Sequence, residues 1–338
     1  MIRTAILGAS GYVGGELLRL LARHPDLRPT RLFGDSKAGQ RLGAVHPQLS
    51  GAMAEVAVER FSDDALDGID LVFAALPHGE SQKIAGAILE RGLKLVDLGA
   101  DFRLRDPADY ARWYGEPHAA PALIERFAYG IPELHRDAIR SAQAVAAAGC
   151  YPTATILAVK PLVDAGLIDP DSLIVDAASG VSGAGRAVKE GTAFNTVDGS
   201  FAAYGLLNHR HTAEMEQELG ATVLFTPHLA PMTRGILATC YAAAAKPMDP
   251  DAPLAALRQA YAGEPFVRVS DDPPSTKWVS GSNGAVVTAR YDARTGRVVM
   301  LGAIDNLGKG AAGQMIQCAN LMFGLDETAG LAAEGVYP

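Results

Sequence analysis

No stretch of 18 or more apolar residues occurs in this 338-residue chain, so no membrane-spanning helix is expected. Cysteine is scarce as well. Cys150, Cys240 and Cys318 lie far apart and are odd in number, which excludes a disulfide framework and leaves no CxxC zinc pattern. Runs of basic residues are also missing: lysines and arginines are scattered or stand singly in glycine-rich loops, and the formal net charge is −8. That balance offers no footprint for nucleic acid or an anionic membrane. Small anionic ligands remain compatible with it, since they need only a few local cations. Met1-Ile2-Arg3-Thr4 runs straight into a strand pattern, so no signal peptide is expected. The expected location is the cytoplasm.

What is present is an ordinary globular composition, 49% hydrophobic and 20% charged, in a chain long enough for two domains. Its 36 glycines gather in a few loops, as they do where backbone approaches a ligand closely. Thr4–Leu7 is a short apolar run followed by Gly8-Ala9-Ser10-Gly11-Tyr12-Val13-Gly14, then by Leu17, Leu18, Leu20 and Leu21 at helical spacing. Strand, glycine loop and helix in that order form a dinucleotide-binding context. Gly8 permits the tight turn, Gly11 admits a pyrophosphate, and Gly14 lets the helix pack on the sheet. The spacing is GxxGxxG, a variant associated with NADP. A plain strand-to-helix turn is the simpler alternative.

A second strand, Arg31–Phe33, leads to Gly34-Asp35-Ser36-Lys37. Asp35 suits ribose hydroxyls, whereas Ser36 and Lys37 suit a 2′-phosphate. NADP is the preferred reading, with Lys37 as a solvated loop lysine the alternative. Asp70–Leu76 and Leu93–Leu98 read as buried strands around a helix, Ser81–Leu89. The alternation predicts a doubly wound parallel sheet whose crevice collects Gly8, Ser36, Pro77 and Gly99. His78 fits a crevice wall. Arg103 is either an anion clamp or the partner of Asp101 or Asp106. Residues 110–129 read as an irregular excursion.

Gly149-Cys150-Tyr151-Pro152-Thr153 follows an apolar run, 143–148, and precedes a helical pattern, Thr153–Val163. A cysteine near a helix N-terminus is favoured as thiolate, although most free cysteines are small buried hydrophobes. Beyond it, Ser179–Arg186 reads as an anion-wrapping loop or a surface turn. His209 and His211, with His228, invite a metal reading, but no acidic or cysteine ligand accompanies them at useful spacing. A general base for Cys150 is the better functional idea, and ordinary surface histidines are the alternative. Strands at Thr222–Thr226, Gly235–Ala245 and a hairpin, Ala285–Tyr291 with Arg297–Ile304, predict an antiparallel sheet in an α+β domain. The hairpin is the expected interface of an oligomer. A last helix, Gln314–Phe323, is expected to return to the nucleotide domain.

Taken together, GASGYVGGE (8–16), DFRL (101–104), WYGE (113–116), YGIPEL (129–134), GCYPTAT (149–155), SGVSGAGR (179–186), HRHTAE (209–214), TPHLAPMTRGI (226–236) and DNLGKGAAGQ (305–314) resemble the N-acetyl-gamma-glutamyl-phosphate reductase family across the whole chain. The resemblance implies a Rossmann-like NADP domain (1–149 and 310–338) with an inserted α+β catalytic and oligomerisation domain (150–309). It implies NADPH-dependent reduction of an acyl phosphate to an aldehyde through a cysteine thioester, in arginine biosynthesis. Cys150 is then the nucleophile and His209 the acid/base residue. Cofactor contacts are expected at Gly8, Ser10, Gly11, Tyr12, Val13, Gly14, Ser36, Lys37, Pro77, Gly79 and Asn306. Substrate contacts are expected at Arg103, Arg186, Arg210 and His211, with no metal. Partners are a small-molecule substrate, phosphate and further copies of the chain, as dimer or tetramer. Two departures stand out: Ala147-Ala148 replaces the family's usual Asn-Pro, and Ala213 a usual proline. Aspartate-semialdehyde dehydrogenase and a lysine-pathway reductase acting on a carrier-bound acyl phosphate are the nearest rival activities. A non-catalytic NADP-binding protein would have little need of Cys150 and His209 together.

Overall fold

The computed structural model describes residues 1–337, the side chain of Asp63 excepted, and the chain forms two compact units. The first comprises Met1–Ala111, Glu116–Ala148 and Ala311–Leu331; the second comprises Arg112–Gly115, Gly149–Gly310 and the residues from Ala332 onward. The C-terminal tail thus departs from the expected boundary. It is stitched into the second unit by Asn283 N–H donating to the Ala332 carbonyl and Val336 N–H to that of Ser280, both at 2.8 Å.

In the first unit, β1 (Ile2–Leu7), β2 (Leu27–Phe33), β3 (Leu71–Ala74), β4 (Lys94–Asp97), β5 (Phe127–Gly130) and β6 (Ala144–Ala147) form one parallel sheet in the order β2-β1-β3-β4-β6-β5. The residues of β3 and β6 are buried throughout, as strands covered on both faces must be, and they read as continuous apolar runs. One face is covered by the helix Tyr12–Leu21 and the terminal helix Gly313–Met322, which bring Leu17, Leu18, Leu21, Met315 and Ile316 into one core. The other face carries Ala85, Ile88 and Leu89 of the helix Ser81–Glu90. The chain leaves β1 to one side for β2 and returns on its other side as β3, so the strand order reverses at the carboxyl end of β1, where ligands bind in such sheets.

The stretch expected to be irregular is not. Residues 110–129 contain the end of a helix, Pro107–Tyr114, a 3₁₀ turn, Pro121–Arg126, and most of β5. The strand was hidden because FAYG is short and flanked by prolines, and its apolar face is set by long-range pairing. Phe127 stacks on Phe102 with centroids 4.0 Å apart, and a Cβ on Gly130 would lie 2.7 Å from Ala147 Cα.

The second unit has a seven-stranded sheet built from β7 (Leu173–Gly180), β8 (Ala202–Ala203), β9 (Val223–Ala230), β10 (Ile236–Ala243), β11 (Val267–Val269), β12 (Ala285–Asp292) and β13 (Arg297–Ile304), in the order β11-β12-β13-β10-β7-β9-β8. The sheet is mixed, not purely antiparallel: β7 with β9 and β11 with β12 run parallel. β9 also passes through Pro227, where the sequence pattern ended it. The pairing continues because the Pro227 carbonyl still accepts from Tyr204 N–H at 3.1 Å.

Against this sheet lies the helix Cys150–Asp164, buried along most of its circumference. Pro161 removes one helical N–H and orphans the carbonyl of Leu157. The Tyr261 hydroxyl donates to that carbonyl at 2.7 Å, so the interior proline is tolerated. Gly302 of β13 lets the helix approach, since a Cβ there would lie 2.3 Å from the Ala154 carbonyl oxygen.

Candidate active site

The glycine loop in the first unit is tight for a stated reason at two positions. Gly8 holds φ at +83° with space for a Cβ blocked 2.2 Å away by the Ala75 carbonyl, and a Cβ on Gly14 would lie 2.4 Å from the Gly8 carbonyl oxygen. Gly11 enters the helix Tyr12–Leu21 from extended backbone and contributes no side-chain cap. The first-turn N–H groups therefore face outward for an anion. Ser10 packs its hydroxyl against Gly34 at the end of β2, 2.8 Å from where a Cβ would stand. Tyr12 is 40% exposed at the rim, and Val13 packs partly on the core. Beyond β2, Asp35 pairs with Arg60 at 3.6 Å, Ser36 is exposed and Lys37 half-buried. A side-chain-free cradle at an uncapped helix start fits a dinucleotide pyrophosphate.

At the ends of β3 and β4, Asp101 is the organising group. It is fully buried, accepts from Gly79 N–H at 2.8 Å and Gln82 N–H at 3.2 Å, and lies 3.0 Å from His78 Nδ1. Pro77 and Gly79, with φ +85°, shape this turn. Arg103 is buried and donates to the Leu98 carbonyl at 2.6 Å. Beside it Asp97 accepts from the Ser81 hydroxyl at 2.7 Å and Gly99 N–H at 2.8 Å. Burial nonetheless pushes the Asp97 carboxyl up to about 6.

In the second unit Cys150 is the first residue of its helix, three residues earlier than the pattern suggested, with Gly149 as the residue before it in extended backbone. The thiol is half-buried, and Gly310 leaves room for it: a Cβ there would lie 2.9 Å from Cys150 Cβ. Cys240, by contrast, is fully buried in β10 and burial pushes its thiol well up, which makes it inert.

His209 sits in a box of rings. Tyr151, Tyr204, Phe225 and His211 surround it at centroid distances of 5.6, 5.6, 5.3 and 4.8 Å. Its Nδ1 accepts from His211 N–H at 3.2 Å, which leaves the proton of the neutral ring on Nε2. Burial, with the Arg210 charge adding, pushes it down to about 4. The Tyr204 hydroxyl donates to that of Tyr151 at 3.0 Å, which donates to the His228 carbonyl at 3.0 Å. Burial holds Tyr204 up at about 12, and the charge of a Cys150 thiolate adds to this. Both hydroxyls therefore stay protonated.

The pattern-based reading passed over Glu214. It is fully buried, accepts from Gly149 N–H at 3.0 Å and lies 3.8 Å from His211 Nε2. One carboxylate thus lies against both Gly149, the residue before Cys150, and the second histidine of HRH. The available signal was an acid three positions after a histidine on one helix face.

Other expected residues take varied places within the second unit. Arg186 is half-buried. The Arg210 guanidinium lies over the Tyr114 ring at 5.2 Å. Asn306 is buried and bridges two loops, accepting from Gly235 N–H at 2.7 Å and donating to the Ser182 hydroxyl at 2.9 Å. His228 stacks on Phe201 at 5.0 Å, nearly parallel.

The family models that match are the semialdehyde dehydrogenase NAD-binding domain over residues 3–142 and the semialdehyde dehydrogenase dimerisation domain over residues 150–306. Among solved structures, the fold is shared with aspartate semialdehyde dehydrogenase II of Vibrio cholerae complexed with ASA, at a TM-score of 0.72 and 18% identity over 96% of this chain and 98% of that one. The aspartate semialdehyde dehydrogenase of Candida albicans, solved with NADP, gives 0.69 and 16% over 96% and 98%. In sequence the chain is 48% identical to N-acetyl-gamma-glutamyl-phosphate reductase of Desulforudis audaxviator over the full length of both chains. It is 49% identical to that of Symbiobacterium thermophilum over 100% of this chain and 99% of the relative. The chain belongs to the N-acetyl-gamma-glutamyl-phosphate reductase family, within the semialdehyde dehydrogenases.

Proposed function

We propose that the chain reduces N-acetyl-glutamyl 5-phosphate to N-acetylglutamate 5-semialdehyde and phosphate, with NADPH, as a step of arginine biosynthesis. The observation that carries this reading is Cys150 as the first residue of a buried helix, in a chain of this family. NADPH is preferred over NADH because Ser36 and Lys37 follow β2 while Asp35 is engaged by Arg60. When bound, the dinucleotide supplies the hydride.

The residues divide the remaining work. Cys150 attacks the acyl carbon as thiolate, favoured by the positive end of its helix. The C–S bond forms first, pushing the carbonyl π electrons onto oxygen; the resulting tetrahedral intermediate then collapses, breaking the C–O bond to phosphate, which leaves with both electrons of that bond. N–H groups at the helix start stabilise the oxyanion of the tetrahedral intermediate. At the thioester stage the neutral His209 Nε2–H donates a hydrogen bond to the oxygen and stabilises its negative charge until the C–S bond breaks, releasing the aldehyde and the Cys150 thiolate. Arg103, Arg186 and Arg210 are the proposed anion clamps for phosphate and carboxylate. A second reading gives the role of His209 to His211, whose Nε2 lies 3.8 Å from the buried Glu214 carboxylate.

An assembly of copies through the second unit, as a dimer or tetramer, is part of this reading. So is a cytoplasmic location, where Cys150 stays reduced. Cys150→Ser tests the chemistry: turnover is expected to vanish while NADPH binding, measured by fluorescence titration, is unchanged. Undiminished activity in that variant rules out the thioester route.

A further inference from the structure

One buried histidine touches the glycine loop and has no part in the chemistry above. His46 follows a short helical turn, Leu42–Val45, and is 1% exposed. Its Nε2 lies 2.8 Å from the Ala9 carbonyl oxygen. A carbonyl oxygen only accepts, so Nε2 carries the proton and donates. The ring also fills the space beside Gly15, where a Cβ would lie 2.5 Å from Cε1 and 2.6 Å from Nδ1. The His46 backbone is fixed in turn: its N–H donates to Leu42 O at 2.6 Å, and its carbonyl accepts from Leu49 N–H at 2.9 Å.

Ala9 is thereby pinned at both ends, because its N–H donates to the Phe33 carbonyl at 2.8 Å. A planar trans peptide points C=O and the following N–H in opposite directions. With the Ala9 carbonyl drawn toward His46, the Ser10 N–H turns the other way. We propose that His46 is a positioning residue for the dinucleotide, holding the Ala9 carbonyl beneath the loop so that the Ser10 N–H and the uncapped N–H groups of Tyr12–Leu21 are presented together to the pyrophosphate. This rests on the nucleotide-binding reading of the first unit and asks no proton transfer of His46.

The test uses the full-length, cofactor-free protein titrated separately with NADPH and NADH by fluorescence. His46→Leu keeps apolar bulk and removes the donor; His46→Gln restores an N–H donor at similar reach. For the nucleotide the wild type binds, His46→Leu is expected to raise Kd about 10-fold and His46→Gln no more than about 3-fold, the scale of one hydrogen bond. Amide hydrogen exchange across residues 8–14 should speed up in His46→Leu without nucleotide, and alkylation of Cys150 by iodoacetamide should keep its wild-type rate. An unchanged Kd in His46→Leu overturns the proposal, and so does a loss that His46→Gln does not recover. A wild type that binds neither nucleotide instead overturns the functional reading above. Should His46→Leu not fold, Gly15→Ala carries the test, since its methyl crowds the ring off the Ala9 carbonyl. The same roughly 10-fold rise supports the proposal, and an unaltered Kd defeats it.

Discussion

A histidine enclosed by four rings does not titrate as one in water. Burial, helped by Arg210, holds His209 down at about 4, so it is neutral at every pH where the enzyme would work. In the proposed mechanism a neutral imidazole with its proton on Nε2 donates a hydrogen bond that strengthens as the substrate oxygen gains negative charge. Two outcomes follow. The acidic limb of kcat/KM assigned to His209 is expected below about pH 5, and His209→Asn is expected to lower kcat by about 10²-fold or more. A small effect of His209→Asn together with a large effect of His211→Asn gives the role to His211. The linked effect on stability has a definite sign. Because the folded-state value lies below the ordinary 6.5, this group costs nothing above that pH and destabilises the fold as pH falls toward 4. At this scale the sequence singled out Cys150 and the histidines as candidates for a nucleophile and proton carriers. Glu214 and Tyr204 were not visible, because their contacts depend on how a helix and a loop pack. Nor was the consequence of Ala147-Ala148: both alanines are fully buried, and the N–H that follows them, on Gly149, is taken by Glu214.

Among elements, the Cys150 helix decides most. Its start positions the thiol, and its body is held close to β13 by the absence of a side chain at Gly302. Gly302→Ala puts a methyl 2.3 Å from the Ala154 carbonyl oxygen and is expected to cost about 1–3 kcal/mol, the usual price of overpacking a tight core. Denaturant unfolding followed in the second unit measures this, and a midpoint equal to wild type contradicts the packing described. Element type was legible wherever one face or both are buried, since the apolar period then follows the structure. It failed where neighbours supply the reason. β5 is a strand only because β6 pairs with it. The helix survives Pro161 only because Tyr261 reaches Leu157 from another part of the chain.

For the molecule as a whole, the second sheet leaves an unusual row uncovered. Tyr241, Ile174 and Leu224 stand in register on β10, β7 and β9 and are 37%, 37% and 49% exposed. The hairpin expected to form an interface is a poorer candidate, because β12 is buried on both faces over Ala285–Ala289. In a chain whose second family model is a dimerisation domain, the exposed row is the natural place for another copy, since burying such apolar area favours association. Sedimentation is expected to show an oligomer that Leu224→Asp shifts toward monomer; a wild-type monomer contradicts this. The two-unit plan was readable from alternating strands and helices followed by strands in runs. The placement of the tail in the second unit was not, because it rests on backbone hydrogen bonds that any sequence can make. The central claim concerns the substrate, and one assay tests it most directly: oxidation of N-acetylglutamate 5-semialdehyde with NADP and inorganic phosphate, beside aspartate semialdehyde under the same conditions. Phosphate-dependent NADPH formation with the acetylated aldehyde and little with the other is the predicted result; the reverse preference contradicts it.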